Sequence, residues 1–159
     1  MPVLTSKAWA NFVRGSYPSR ALAQGLTFLA VAPILHQLDA PWWQWLLYAL
    51  HAFVWPYAAW RLSARAGQPT QANRRNLLID HFAAGWWAAG IAFNALLSIV
   101  MLALLLMDSM IAGGWRQFLR GAGLHLAGVV TGLLVFGIDW QPIPTPEQVW
   151  ACLPLLLIY

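Results

Sequence analysis

Asp80, His81 and Asp108 are ionisable side chains embedded in apolar sequence, the run of residues 76–114 that reads NLLIDHFAAGWWAAGIAFNALLSIVMLALLLMDSMIAGG. A carboxylate in such surroundings is costly unless a cation or hydrogen-bond donors engage it. It therefore marks either an ion-paired structural joint or an element that signals by rearranging. Arg74 and Arg75 precede the run and Arg116 and Arg120 follow it; with Arg61 they are the candidate partners. Counting outward from a turn near Leu96 places Asp80 and Asp108 at similar depth on two antiparallel helices, with His81 in the same polar cluster. His51 and His125 each fall about 8 to 10 residues from the corresponding ends of their own helices. Two histidines at one depth could clamp a b-type haem, and the simpler use of each is a hydrogen bond to a neighbouring helix.

The other marked positions are structural in kind. Asn94 sits at the turn of the apolar run, where its side chain can cap a helix end. Gly128-x-x-x-Gly132, extended by Gly121 and Gly137, offers a smooth face for close helix packing. No nucleophile–base constellation is apparent, so no catalytic residue is assigned. Cys152 is the only cysteine, which excludes an intrachain disulfide and a cysteine metal site.

Long helices must position these residues. Sixty per cent of the chain is hydrophobic and nine per cent charged, too little charge for a water-facing surface. Eleven tryptophans suit membrane interfaces. The net charge of +4 could suggest nucleic acid, but the basic residues sit at the ends of apolar runs, where they act as topology signals. No nucleic-acid partner is expected. The expected architecture is an all-α integral membrane protein, a bundle of six transmembrane helices at about 21–38, 41–60, 77–94, 97–112, 115–138 and 149–159. Residues 1–20 form a short amphipathic leader on the cytoplasmic face, closed by Tyr17-Pro18. Pro56 should kink the second helix, and Gly113-Gly114 should stop the fourth.

This arrangement puts all nine Lys and Arg on one side, with Asp39, Asp139 and Glu147 on the other. By the positive-inside rule both termini are cytoplasmic, in a bacterial inner membrane. The last apolar run is only about half the roughly 20 residues a crossing needs, so a longer natural polypeptide is expected to complete that helix.

Read with their particular residues, the spans resemble the membrane-associated sensor domain of the second MASE class. The resembling residues are Tyr17-Pro18-Ser19-Arg20, Phe53-Val54-Trp55-Pro56, Ala59-Trp60, Ser63, Arg65 and Ala66. The pattern continues through Asn76-Leu77, Asp80, Gly85, Trp87, Asn94, Leu96, Met101, Met110 and Ala112-Gly113-Gly114. Leu97 departs from it, standing where the family often has Pro, and His51, His81 and His125 lie outside it. The resemblance implies a module that precedes a diguanylate cyclase (GGDEF) or class III adenylate cyclase domain and works as a homodimer. On that footing the chain is a non-catalytic sensory anchor without a cofactor, open to a lipophilic ligand. A haem or other small-molecule-binding membrane protein and a small transporter are the alternatives.

Overall fold

The computed structural model describes the backbone of residues 6–158 and the side chains of residues 17–157. It is all-helical: α1 Ser6–Gln37, α2 Trp42–Ala49, α3 Trp55–Arg65, α4 Pro69–Gly90, α5 Ala95–Phe136 and α6 Pro146–Ile158. The break expected at Tyr17-Pro18 is absent, because α1 runs on through Pro18 and Pro33. A proline inside a helix removes one hydrogen bond, a loss that a long helix packed against neighbours can absorb as a bend. The apolar face of the leader (Trp9, Phe12, Val13) lies outside the described side chains.

α2 and α3 form one helical path joined by a π turn, Leu50–Val54. Pro56 has no N–H to give to the preceding turn, and the wide turn is how the chain accommodates that missing donor. α4 ends at Gly90 and the chain reverses over Ile91 to Asn94, with Ala92 and Phe93 at φ 52° and 54°. Asn94 then caps α5, its Oδ1 accepting the Leu97 N–H.

α5 is two limbs, 95–113 and 115–136, because Gly114 adopts φ 66° and ψ −160°. Only glycine takes that conformation readily. The chain turns back there, since α4 meets both limbs in opposite order. Arg74 donates through Nε to the Ala112 carbonyl, and Gln117 donates to the Arg74 carbonyl. At the other end of α4 the Gly90 Cα faces the Phe136 ring, while Ala95 follows five residues on. The limbs are thus antiparallel, and the second runs alongside α4 in the same direction.

α4 is the central element. Asp80, Ala84 and Trp87 share one face at helical spacing, while Phe82, Gly85, Trp86 and Ala89 lie on the opposite face. The latter face meets the second limb of α5 at very short range. A Cβ on Gly85 would lie 2.0 Å from the His125 carbonyl oxygen, and one on Gly128 2.0 Å from the Phe82 carbonyl oxygen. The Gly121, Gly128 and Gly132 face therefore packs within the bundle, against α4. α6 packs on α1, where Cys152 and Leu155 join a core of Ala30, Val31, Ile34, Leu35, Tyr48, Trp87, Ile91, Leu97 and Met101.

The outside is apolar: Leu134 is 82 %, Ile111 79 % and Leu157 84 % exposed, a surface suited to lipid rather than water. Among the described residues, Ala95–Phe136 is the helix long and apolar enough to cross a membrane. Arginines 61, 65, 74, 75, 116 and 120 lie around the helix ends that meet near Gly114, here termed the basic end. Asp39, Asp139 and Glu147 lie at the far end.

Candidate functional site

Asp80 lies on the face of α4 turned toward α1 and α3, and it is 4 % exposed. Its Oδ2 stands 3.0 Å from Arg20 Nη2, and its Oδ1 accepts from Trp55 Nε1 at 2.5 Å. One carboxylate thus ties three helices together and shares its charge with a cation, the condition under which a buried acid is tolerated. Each oxygen of the carboxylate is engaged by a different helix. One turn earlier, Asn76 donates to the Ala59 carbonyl and to Ser63 Oγ, a second polar tie between α4 and α3.

The partner of Asp80 differs from the expected arginines, and helix geometry explains why. Arg74 lies 120° around α4 from Asp80 and reaches α5. Arg75, Arg116 and Arg120 are exposed, and Arg61 lies over the Tyr57 and Trp60 rings, 5.8 and 6.0 Å from their centroids. His81 turns toward α5, its Nε2 2.8 Å from Ser109 Oγ. That contact sets residues 80–81 level with 108–109, so Asp80 and Asp108 stand at similar depth on neighbouring helices. Asp108 is half-buried and continues the face formed by Met101, Leu104 and Leu105.

A cavity of about 70 Å³ opens beside the Arg20–Asp80 pair. α1 contributes Ala23, Gln24 and Thr27; the second helical path contributes Tyr48 and His51; α4 contributes Asp80, Ala84 and Trp87. Met101, Leu104 and Leu105 of α5 and Leu155 of α6 complete the wall. Gln24, Thr27, Tyr48, His51 and Asp80 bring polar groups to the lining, and the α5 and α6 contributions are apolar. Tyr48 is 2 % exposed, packed edge-on to Trp87 at 4.5 Å and stacked on Phe28 at 5.8 Å. Ring contacts fix its plane without engaging its hydroxyl.

His51 and His125 are not brought together. His51 lines the cavity on the Asp80 face of α4, whereas the His125 main chain meets Gly85 on the opposite face. An iron held by both would require α4 to lie elsewhere. Among the described residues no group of three or more His, Cys, Asp or Glu is placed to hold a metal ion.

A second polar assembly closes the far end. Asn94 Nδ2 donates to Gln148 Oε1 at 2.6 Å, Gln148 Nε2 donates to Gln37 Oε1 at 2.7 Å, and Gln37 Nε2 donates to Thr145 Oγ1 at 3.2 Å. The loop before α6 is pinned as well, with Gln141 N–H donating to the Ala92 carbonyl and Ala95 N–H to the Pro142 carbonyl. The start of α6 is therefore fastened to the α4–α5 turn and to the end of α1. Sequence reading singled out Asn94 but missed Gln37, Tyr48 and Gln148; amides at the edges of apolar runs were the available signal for two of them.

Arg20, Trp55, Asp80, Asn76, Ser63 and Gly85 belong to the scattered residues that carried the resemblance, and in the folded chain they meet on α4. Residues 15–103 match the family model of the MASE2 domain. Two curated proteins, from Escherichia coli strain K12 and Escherichia coli O6:H1 strain CFT073, are each described as the probable diguanylate cyclase DgcC. Each is 34 % identical over 149 residues, covering 94 % of this chain and 40 % of the relative. The chain thus spans well under half the length of these relatives. No solved structure matches it.

Proposed function

This chain belongs to the MASE2 domain family, and we propose that it is the membrane-anchored sensory part of a protein that makes cyclic di-GMP. The observation that carries this reading is the likeness over 94 % of the chain to less than half of a probable diguanylate cyclase. The match leaves the greater part of the relative unaccounted for, and that part is where a cyclase domain would reside. The chain itself acts as regulator and anchor rather than as the enzyme. Cyclic di-GMP is favoured over cyclic AMP because both similar proteins carry the diguanylate name.

The topology proposed is six crossings with both ends cytoplasmic. Three features support it: the chain reverses at Asn94 and at Gly114, arginines gather at one end, and acids lie at the other. The second limb of α5 alone rises roughly 30 Å, close to the thickness of a hydrocarbon core. In this reading the bacterial inner membrane holds the bundle and a homodimer brings two output domains together. The Arg20–Asp80–Trp55 joint and the Asn94–Gln148–Gln37 assembly are the two fastenings through which movement of the bundle would reach α6. Expressing the whole gene in a host lacking its own diguanylate cyclases, then quantifying cyclic di-GMP and cyclic AMP, tests the reading. A rise in cyclic di-GMP is expected; a rise in cyclic AMP alone, or in neither, would remove it.

A further inference from the structure

The corner where α4 meets the start of the second limb of α5 carries three arginines on one outward flank. Gln117 donates to the Arg74 carbonyl and a Cβ on Gly121 would touch the His81 ring, so the two helices lie side by side here. Arg74 and His81 both address the first limb, through the Ala112 carbonyl and Ser109 Oγ. One residue on, Arg75 and Phe82 therefore turn about 100° away from that limb. Arg116 and Arg120 stand one residue before Gln117 and Gly121, the positions that meet α4. For helices running in the same direction, a step forward from one contact face and a step back from the other lead to the same flank. Arg75, Arg116 and Arg120 are all exposed there.

Among the described residues no acid balances this charge. Asp80 is committed to Arg20, and Asp108 belongs to the first limb, on the other flank of α4. Away from the corner the same flank turns apolar. Gly123 and Ala127 continue the strip of Arg116 and Arg120 at helical spacing, and a Cβ on Gly123 would meet nothing within 4 Å. Ile79 and Phe82 of α4 border this low strip on one side and Leu126 on the other, all three exposed. A cluster of cations thus stands at the mouth of a shallow apolar trough.

We propose that this corner docks an anionic phospholipid, its phosphate held by Arg75, Arg116 and Arg120 and one acyl chain lying over Gly123 and Ala127. Charge selects the headgroup. Guanidinium forks match phosphate oxygens, and a zwitterionic lipid would bring its own cation into a cluster that is already positive. Shape selects the chain, because two small residues between larger apolar neighbours leave a channel that a row of methylenes can fill. A free phosphate would engage the arginines and leave that channel empty. Depth agrees, since the arginines sit at helix ends, where headgroups lie, and the cytoplasmic leaflet is the anionic one. The proposal rests on the membrane anchoring in the reading above and is independent of what an attached domain makes.

The test is native mass spectrometry of the whole chain in detergent micelles, titrated with palmitoyl-oleoyl phosphatidylglycerol or with the phosphatidylcholine of the same acyl chains. Wild type is expected to retain one phosphatidylglycerol at concentrations where phosphatidylcholine is lost. Arg75→Gln with Arg120→Gln should weaken that retention roughly fivefold or more. Arg61→Gln with Arg65→Gln removes the same charge from the same end of the bundle and should leave it nearly unchanged. Gly123→Leu, which fills the trough, should weaken it as well, and excess glycerol phosphate should not displace the lipid. All five substituted positions are exposed, so the bundle itself is not at stake. Equal retention of the two lipids would overturn the proposal, as would equal losses from the two double variants, an unaffected Gly123→Leu, or displacement by glycerol phosphate. Because the readout involves no cyclic di-GMP, failure of the regulatory reading and failure of this site would be told apart.

Discussion

The contact between α4 and the second limb of α5 can be tested by two glycine-to-alanine changes on one helix, expected to act with opposite sign. In Gly128→Ala the new Cβ would lie 2.0 Å from the Phe82 carbonyl oxygen and 2.9 Å from the Trp86 nitrogen. Carbon and oxygen approach comfortably to about 3.3 Å, so α4 and the second limb must part by roughly 1 Å. A gap of that size forfeits a quarter to a half of each atom pair's attraction, about 0.1–0.2 kcal/mol, across all the pairs at the contact. Over some ~30 pairs the loss is about 1–3 kcal/mol, the usual range for overpacking. In Gly123→Ala the new methyl meets nothing within 4 Å, and replacing a helical glycine gains up to about 1 kcal/mol. Reversible unfolding in mixed micelles, followed by circular dichroism, measures both. Gly128→Ala should lower stability and Gly123→Ala should hold or raise it. If Gly128→Ala proves as stable as Gly123→Ala, the close approach of the two helices is wrong.

Two further outcomes follow from the same geometry. Asp80→Asn leaves Arg20 without its counter-charge and should destabilise the bundle by about 3 kcal/mol, the usual loss when one member of a buried pair is removed. The double variant Arg20→Met with Asp80→Asn should recover much of that loss, and strictly additive effects in a double-mutant cycle would show that the two side chains do not interact. For topology, a Cys152→Ala background carrying Gly67→Cys or Asp139→Cys separates the two faces. An impermeant maleimide added to intact spheroplasts should label position 139 and leave position 67 unlabelled, and the reverse pattern would invert the proposed orientation.

Depth along the helices was legible in the sequence, whereas direction around them was not. The turn at Asn94, the reversal at Gly114 and the common level of Asp80 and Asp108 all follow from counting residues and reading breakers. The partner of Asp80 does not. Arg74 and Arg75 are near it in the chain, but Arg74 points 120° away, and Arg20 arrives from another helix 60 residues earlier. His51 and His125 show the same limit, since matched depth suggested a clamp while α4 separates them. The Gly128-x-x-x-Gly132 face announced close packing, and only the folded chain supplies Phe82 and Trp86 as what it packs on. The cavity was illegible for the strongest form of this reason: its walls come from five separate helical segments, and no local pattern records a space between them.

The central claim is that this domain governs the output of an attached diguanylate cyclase through α6. The most direct measurement is the cyclic di-GMP made by the full-length protein in membranes, wild type against Gln148→Leu, at matched protein levels. Gln148→Leu removes the side chain that fastens α6 to Asn94 and Gln37 while leaving Arg20–Asp80 intact. A change of threefold or more in synthesis rate, in either direction, is the predicted result. Equal rates from a variant that inserts and folds normally would contradict the claim.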